Sequence, residues 1–285
     1  RLMGSNMRTF RSRLNTLPLD MKCELAELSY QIGMRPVSRK ETAMEILKYY
    51  KVPHEELGTG TNRFITKFDG YALKMALDQE GVADNRQEWV MAPMLNSVAP
   101  GAADAWELSS GGHLLVSSYA PAFFFFFEML MYQSSIKRIL SAWDGRFLLG
   151  DVGISGKNFA NWGLINNKPV CIDYAYIFPA SLELFECICG NKNLKFTDSF
   201  FNTYKCPICG KTYEDSDIRM KISREQRLKM FDNTPGIRLK DVAEEHECDI
   251  KYMTVDTHPD APTLMDFLDP SNINYFPNMP RYYTR

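Results

Sequence analysis

Apolar residues recur at helical spacing near the start of the chain. In LDMKCELAELSYQIGMRP, Met21, Leu25, Leu28 and Ile32 fall on one helix face, and Gly33 and Pro36 predict its end. SRKETAMEILKYY follows, with Ser38 and Glu41 at capping-box spacing and Ala43, Ile46, Leu47 and Tyr50 on a shared face. Core packing is a sufficient reason for both stripes. From Glu56 the period shortens. LGTGTNRFITKFDGYALKMAL alternates, and Asp69-Gly70 between its two apolar runs predicts a hairpin with a tight turn. DNRQEWVMAPML predicts a helix disturbed at Pro93, and DAWELSSGGHLLVSSYA a second hairpin turning near Gly111-Gly112. A long helix is expected from about Phe124 to Trp143, with its phenylalanine run packed into a core. Short strands are expected in FLLGDV, NWGLI and PVCID. The order is neither a repeat nor a βαβ series and predicts an α+β fold.

Further on, Ser223 and Gln226 form a second capping-box pattern, and LKDVAEEHECDIKYM reads as a polar helix. From Thr254 the chain is rich in Pro, Asp and Asn with interspersed Tyr and Phe, as expected of an extended tail on a surface.

Composition narrows the functional classes. The 285 residues suffice for one large domain or two small ones, and a net charge of −2 supplies no overall positive field for nucleic acid or an anionic membrane. Arg1, Arg8, Arg11 and Arg13 read as a solvated terminus, and the opening stretch is set aside from the fold, with Met7 the expected natural start. Phe123 to Phe127, ended by Glu128, is too short to span a membrane, and no signal-peptide pattern opens the chain. Seven cysteines, an odd number with four at metal-like spacing, favour a reducing compartment. A cytoplasmic location, in a host cell or a virion if phage-encoded, is the expectation.

One constellation carries a mechanism. Gly58 and Gly60 open the first hairpin, where absent side chains let backbone N–H groups approach phosphate oxygens. Lys74 closes YALK one hairpin later, and Glu88 on the next helix is placed to hold its ammonium. Singly, these residues read as turn glycines, a strand lysine and a solvated glutamate; order and spacing together give them weight. DVGISGKNFANWGLINNKPVCID then supplies Asp151, Asn161 and Asp173.

With these residues the chain resembles the protein-kinase-like fold, whose motifs are a Gly-rich loop, a V-A-I-K lysine, a helix glutamate, a catalytic Asp with a following Asn, and a D-F-G acid. It is closer to compact atypical kinase-like proteins of bacteria and tailed phages than to eukaryotic kinases. The resemblance covers roughly Glu56 to Ala175. It implies that Asp151 takes the proton from an attacking hydroxyl, that Asn161 and Asp173 hold Mg²⁺, and that Lys74 grips the ATP phosphates. Tyr119, in LVSSYAPAF, falls where the two lobes connect and adenine packs. The departures are Leu-Gly-Asp in place of His-Arg-Asp, ten residues instead of five between Asp151 and Asn161, and no Ala-Pro-Glu. The loop's third glycine is replaced near Asn62 and Arg63, and Asp-Phe-Gly has become Asp-Tyr-Ala. Asn158 is the competing ligand, but Asn161 precedes the strand-like WGLI as the family's Asn does.

A second motif is sharper. FECICGNKNLKFTDSFFNTYKCPICGKTY pairs Cys187 with Cys189 and Cys206 with Cys209, each pair followed by a glycine. Two such turns give a four-thiolate zinc ribbon, a closed and therefore structural site. Cys248 and His246 are alternative ligands on a polar stretch, and Cys23 and Cys171 are expected to be buried and apolar in behaviour. The ribbon begins fourteen residues after Asp173, where a kinase has its activation segment, and is expected to replace or cap it.

The expected architecture is a bilobal kinase-like α+β fold: a helical extension over 1–53, an N-lobe over 54–120, the catalytic part of a C-lobe over 121–180, a ribbon over 181–216, and helices and a tail over 217–285. The expected function is ATP- and Mg²⁺-dependent phosphotransfer to a protein or small-molecule hydroxyl. The alternatives are a pseudokinase serving interaction or assembly, with a protein partner, and a zinc-ribbon nucleic-acid module on an inert scaffold. Basic and aromatic residues in NKNLKF and GKTY support the last; the net charge does not.

Overall fold

The computed structural model describes residues 12–31, 34–109, 111–180, 185–198, 203–214 and 217. Ile32, Gly33, the Ser223–Gln226 pattern, His246, Cys248 and the tail from Thr254 lie outside the described residues.

Helices α1 (Leu19–Tyr30) and α2 (Pro36–Tyr49) form as the periodicity predicts. Met21, Leu25 and Leu28 of α1 and Ala43, Ile46 and Leu47 of α2 are buried in one cluster. The capping box at Ser38 and Glu41 does not form. Pro36 occupies the opening turn, where its missing N–H costs nothing, so the helix begins three residues early, with Arg35 as N-cap. Ser38 then lies inside the helix, and its carbonyl accepts the Thr42 hydroxyl at 2.9 Å.

Five antiparallel strands follow: β1 (Glu55–Thr59), β2 (Arg63–Phe68), β3 (Tyr71–Ala76), β4 (Ala105–Leu108) and β5 (Leu114–Ser118), in the spatial order β1-β2-β3-β5-β4. Asp69 (φ 48°) and Gly70 (φ 79°) make the two-residue turn between β2 and β3. That turn sets the register, so Phe64 faces Met75, Thr66 faces Leu73, and Ile65 faces Lys74. Side chains alternate across a strand. Phe64, Phe68, Leu73, Met75, Leu114 and Val116 therefore line the face that packs on α1 and α2. Arg63 and Lys74 share the opposite face, and both are buried.

That opposite face meets α3 (Gln79–Val98), started by Asp78, whose side chain accepts the Gly81 N–H at 2.9 Å. The helix runs through Pro93, which lies on its exposed side, where solvent can serve the carbonyl that proline leaves unpaired. Its far end is held by Trp143, whose indole N–H reaches the Leu95 and Ala99 carbonyls, each at 3.1 Å.

The expected helix from Phe124 to Trp143 is two helices, α4 (Phe126–Met131) and α5 (Gln133–Trp143), divided at Tyr132. The phenylalanine run is core only in part, through Phe123 and the partly buried Phe126. Only Phe123 is buried, while Phe124, Phe125 and Phe127 are 76%, 60% and 72% exposed. Glu128 explains the turn of the chain there, because its carboxylate accepts the N–H groups of Phe124 (2.7 Å) and Phe125 (3.2 Å). In α5, Ile136, Leu140 and Trp143 alone are buried, a narrow stripe facing a second core.

That second core gathers β6 (Phe147–Leu149), β7 (Trp162–Ile165), β8 (Lys168–Cys171) and β9 (Ile177–Pro179), paired as β6 with β9 and β7 with β8. It also takes Met91 and Leu95 of α3, Phe185, and Tyr204 and Tyr213 from a three-stranded antiparallel sheet, β10 (Lys195–Asp198), β11 (Thr203–Lys205) and β12 (Thr212–Glu214). The fold is thus α+β with antiparallel sheets around two cores. Cys23 and Cys171 are both buried. No described helix is long and apolar enough to cross a membrane.

Glycine is required where the segment after β5 crosses β7. A Cβ at Gly163 would lie 2.5 Å from the Pro121 carbonyl oxygen, whereas one at Gly58 would meet nothing within 4 Å. Gly163→Ala should therefore lose about 1–3 kcal/mol in urea denaturation, and Gly58→Ala should change stability by less than about 0.5 kcal/mol.

Candidate functional site

The β2–β3 register, α3 and the segment after β8 bring five charged side chains together. Lys74 Nζ lies 2.5 Å from Glu88 Oε2 and donates a second bond to the Ile172 carbonyl at 2.6 Å. Arg63 Nη2 reaches Glu88 Oε1 and Asp173 Oδ1, both at 2.9 Å. Asn85 Oδ1 accepts from Arg63 Nη1 at 3.4 Å, and Asp84 Oδ2 is 4.0 Å from its Nε. Glu88 has no exposed surface, Lys74 and Arg63 almost none, and the Asp173 side chain is 44% exposed.

A buried ion survives only when paired and hydrogen-bonded. Glu88 meets that condition with one cation on each oxygen. Burial works against the charge on Arg63, but Glu88, Asp173 and Asp84 outweigh it and push its pKa up. Burial would raise the Asp173 carboxyl, yet Arg63 and Lys74 hold it below the usual carboxylate range. Beneath it, burial and then the charges of Asp173 and Glu88 push the Cys171 thiol well up, and the thiol donates to the Asp173 carbonyl at 3.3 Å.

Asn161 ties Asp151 to Asp173. Its side-chain amide donates to the Asp151 carbonyl at 2.6 Å, and its own carbonyl accepts the N–H groups of Ile172 (2.8 Å) and Asp173 (3.4 Å). Asp151 follows β6 with φ 63°, a left-handed conformation that costs free energy outside glycine. The preceding Gly150 has no room for a side chain, since a Cβ would lie 2.5 Å from the Tyr176 carbonyl oxygen. Gly58 sits in β1 with open space beside its backbone, whereas a Cβ at Gly60, just beyond, would lie 3.8 Å from the Arg63 carbonyl oxygen, to which the Gly60 N–H donates at 3.0 Å. Tyr119 follows β5, its ring 4.7 Å beneath Lys67 Nζ.

The structure therefore gathers Lys74, Glu88, Asp173, Asn161 and Asp151 into one connected group. The sequence reading missed the participation of Arg63. The signal was present: counting back from Asp69-Gly70 places Arg63 on the same face as Lys74, one inward position along.

The second site is the cysteine group. The sulfurs of Cys187, Cys189, Cys206 and Cys209 all lie within 4.8 Å of one another. Tetrahedral zinc with Zn–S bonds of about 2.3 Å sets sulfur–sulfur separations of about 3.8 Å, so the set can hold a metal ion and suits zinc. Two matching turns build it. Gly190 N–H donates to the Cys187 carbonyl and Gly210 N–H to the Cys206 carbonyl, with φ of 85° and 76° that favour glycine. Burial pushes the Cys206 thiol up, but the N–H groups of Cys209 and Ile208 pull it down to about 6. At Cys189 the Asn191 N–H pulls down, but burial and the neighbouring thiols push the thiol up to about 12.

This small sheet is fastened beneath Asp151. The Tyr204 hydroxyl donates to the Leu149 carbonyl, two residues before Asp151, and the Phe196 N–H donates to Asp144 Oδ1 at 3.2 Å. No family model matches the chain, and no curated protein matches it in sequence.

Removing the shared acid should be costly. Glu88→Ala leaves Arg63 and Lys74 buried beside each other, and urea denaturation should register a loss of about 3–5 kcal/mol. A loss below about 1 kcal/mol would contradict the burial described. For the cysteine group, elemental analysis should find one metal ion per chain, absent from Cys206→Ser, with a lower Tm for that variant. Equal metal content in both proteins would place the ion elsewhere.

Proposed function

We propose that the protein is a kinase-like phosphotransferase whose cleft lies between the five-stranded sheet and the β6–β9 region. The observation that carries this reading is the connected group of Lys74, Glu88, Asn161, Asp151 and Asp173. A scaffold has no physical need for buried charges drawn from such distant parts of the chain. Strand order, the lysine–glutamate pair and the two small strand pairs all support the resemblance to protein-kinase-like folds.

The residues fit a nucleoside triphosphate as substrate. Lys74 is held in place by Glu88 to meet phosphate oxygens, and the open backbone at Gly58 can approach them. The acceptor hydroxyl oxygen attacks the γ-phosphorus, and its proton passes to the Asp151 carboxylate. The bond from that phosphorus to the bridging oxygen breaks, and the diphosphate leaves with the electron pair. Magnesium does not fit the arrangement as it stands. The Asp173 carboxylate that would take it already has Arg63, a resident cation, on Oδ1. No step is therefore assigned to the metal.

The same Arg63–Asp173 pair favours a second reading, a pseudokinase that works through a protein partner. In both readings the cysteine group is a structural zinc ribbon that stiffens the catalytic segment from below, and a nucleic-acid role finds no support in the net charge of −2.

Thermal unfolding with and without Mg·ATP separates them, since a ligand bound only by the folded state raises the midpoint. The phosphotransferase reading expects a rise that Lys74→Met removes, and transfer of labelled phosphate to a test protein that Asp151→Asn abolishes. A rise without any transfer points to the pseudokinase; no rise at all defeats the nucleotide reading.

A further inference from the structure

We infer that Arg63 is a resident cation that locks the cleft: it occupies the acid a divalent metal would need, and must leave Asp173 before a metal–nucleotide complex can settle. This rests on the nucleotide reading above and specifies how that site is regulated.

Three observations carry it. The first is placement. Arg63 stands where the resemblance expects the third glycine of the phosphate loop, and the hairpin register turns it inward onto the face that bears Lys74. A glycine there would leave the position open, whereas arginine fills it with a planar fork able to serve two carboxylates. The second is satisfaction. Nη2 contacts both Glu88 and Asp173, and Nη1 and Nε face Asn85 and Asp84. These donors point at protein acceptors, so the guanidinium offers a ligand little while it stays in place. The third is access. The Asp173 side chain is 44% exposed but Arg63 is 5% exposed, so an incoming cation reaches the acid from solvent and meets a buried positive charge behind it. Two cations sharing one carboxylate at this range repel each other.

The pair also joins the two halves of the molecule. Arg63 belongs to the five-stranded sheet and Asp173 follows β8, 110 positions later. Lys74 makes a parallel link to the Ile172 carbonyl. Evicting the guanidinium removes one of these two links, so metal entry and loosening of the sheet against the β7–β8 pair are the same event. A ligand shifts such an equilibrium only through its preference for the unlocked form.

The test is calorimetric titration of the full chain with AMP-PNP, a non-transferable ATP analogue, in Mg²⁺ and again in EDTA. Arg63→Gln should bind Mg·AMP-PNP at least tenfold more tightly than the unaltered protein. Binding in EDTA should change by less than threefold, and Asp173→Asn added to Arg63→Gln should erase the gain. Arg63→Lys keeps the charge but loses the second donor; it should give an intermediate gain and serves if Arg63→Gln does not fold. Equal Mg·AMP-PNP affinity in all these proteins overturns the lock and leaves the nucleotide reading standing. Absence of binding in every protein, with metal or without, overturns the nucleotide reading and the lock with it.

Discussion

A carboxylate with no contact to water organises this molecule. Glu88 holds Lys74 on one oxygen and Arg63 on the other, and those two cations reach onward to the Ile172 carbonyl and to Asp173. Burying such a group is expensive, and the pairing offsets the expense only while both cations stay in register. Register is set by the Asp69-Gly70 turn. A slip of one residue would send Arg63 and Lys74 to the face packed on α1 and α2. The hairpin, the helix and the segment after β8 are therefore tied by charge at one point, and the candidate chemistry lies at that point.

The lower half is organised differently. Trp143 stoppers the end of α3, and Tyr204 braces the strand that leads into Asp151. Tyr204 comes from a sheet with three- and four-residue strands, too little chain to fold around a core of its own. The four close thiols can hold a metal ion, and a metal bound there would contribute folding free energy directly. The cysteine-bearing sheet is thus fastened to the strand that leads into Asp151.

Much of this was legible in the chain. The Asp69-Gly70 hairpin, the two N-terminal stripes and the paired cysteine knuckles depend on local rules, and they form where those rules put them. What local rules could not supply was competition. Pro36 displaced the Ser38 capping box because proline at the opening turn is itself a start signal. The phenylalanine run reads as core by hydrophobicity, yet Glu128 folds back on it and leaves three of its rings exposed. Lys74, Glu88, Asp151, Asn161 and Asp173 were recognisable from order along the chain. Arg63 was not, because its role is a contact between residues 110 positions apart and the resemblance expects no side chain there.

The central claim is that the Arg63–Asp173 pair is a real energetic link between the two halves of the protein. A double-mutant cycle measures it directly: urea denaturation of the unaltered chain, Arg63→Gln, Asp173→Asn and the double variant. The account predicts that the double variant is more stable than the sum of the single losses implies, by about 1–3 kcal/mol. Single losses that add to within about 0.3 kcal/mol would contradict it.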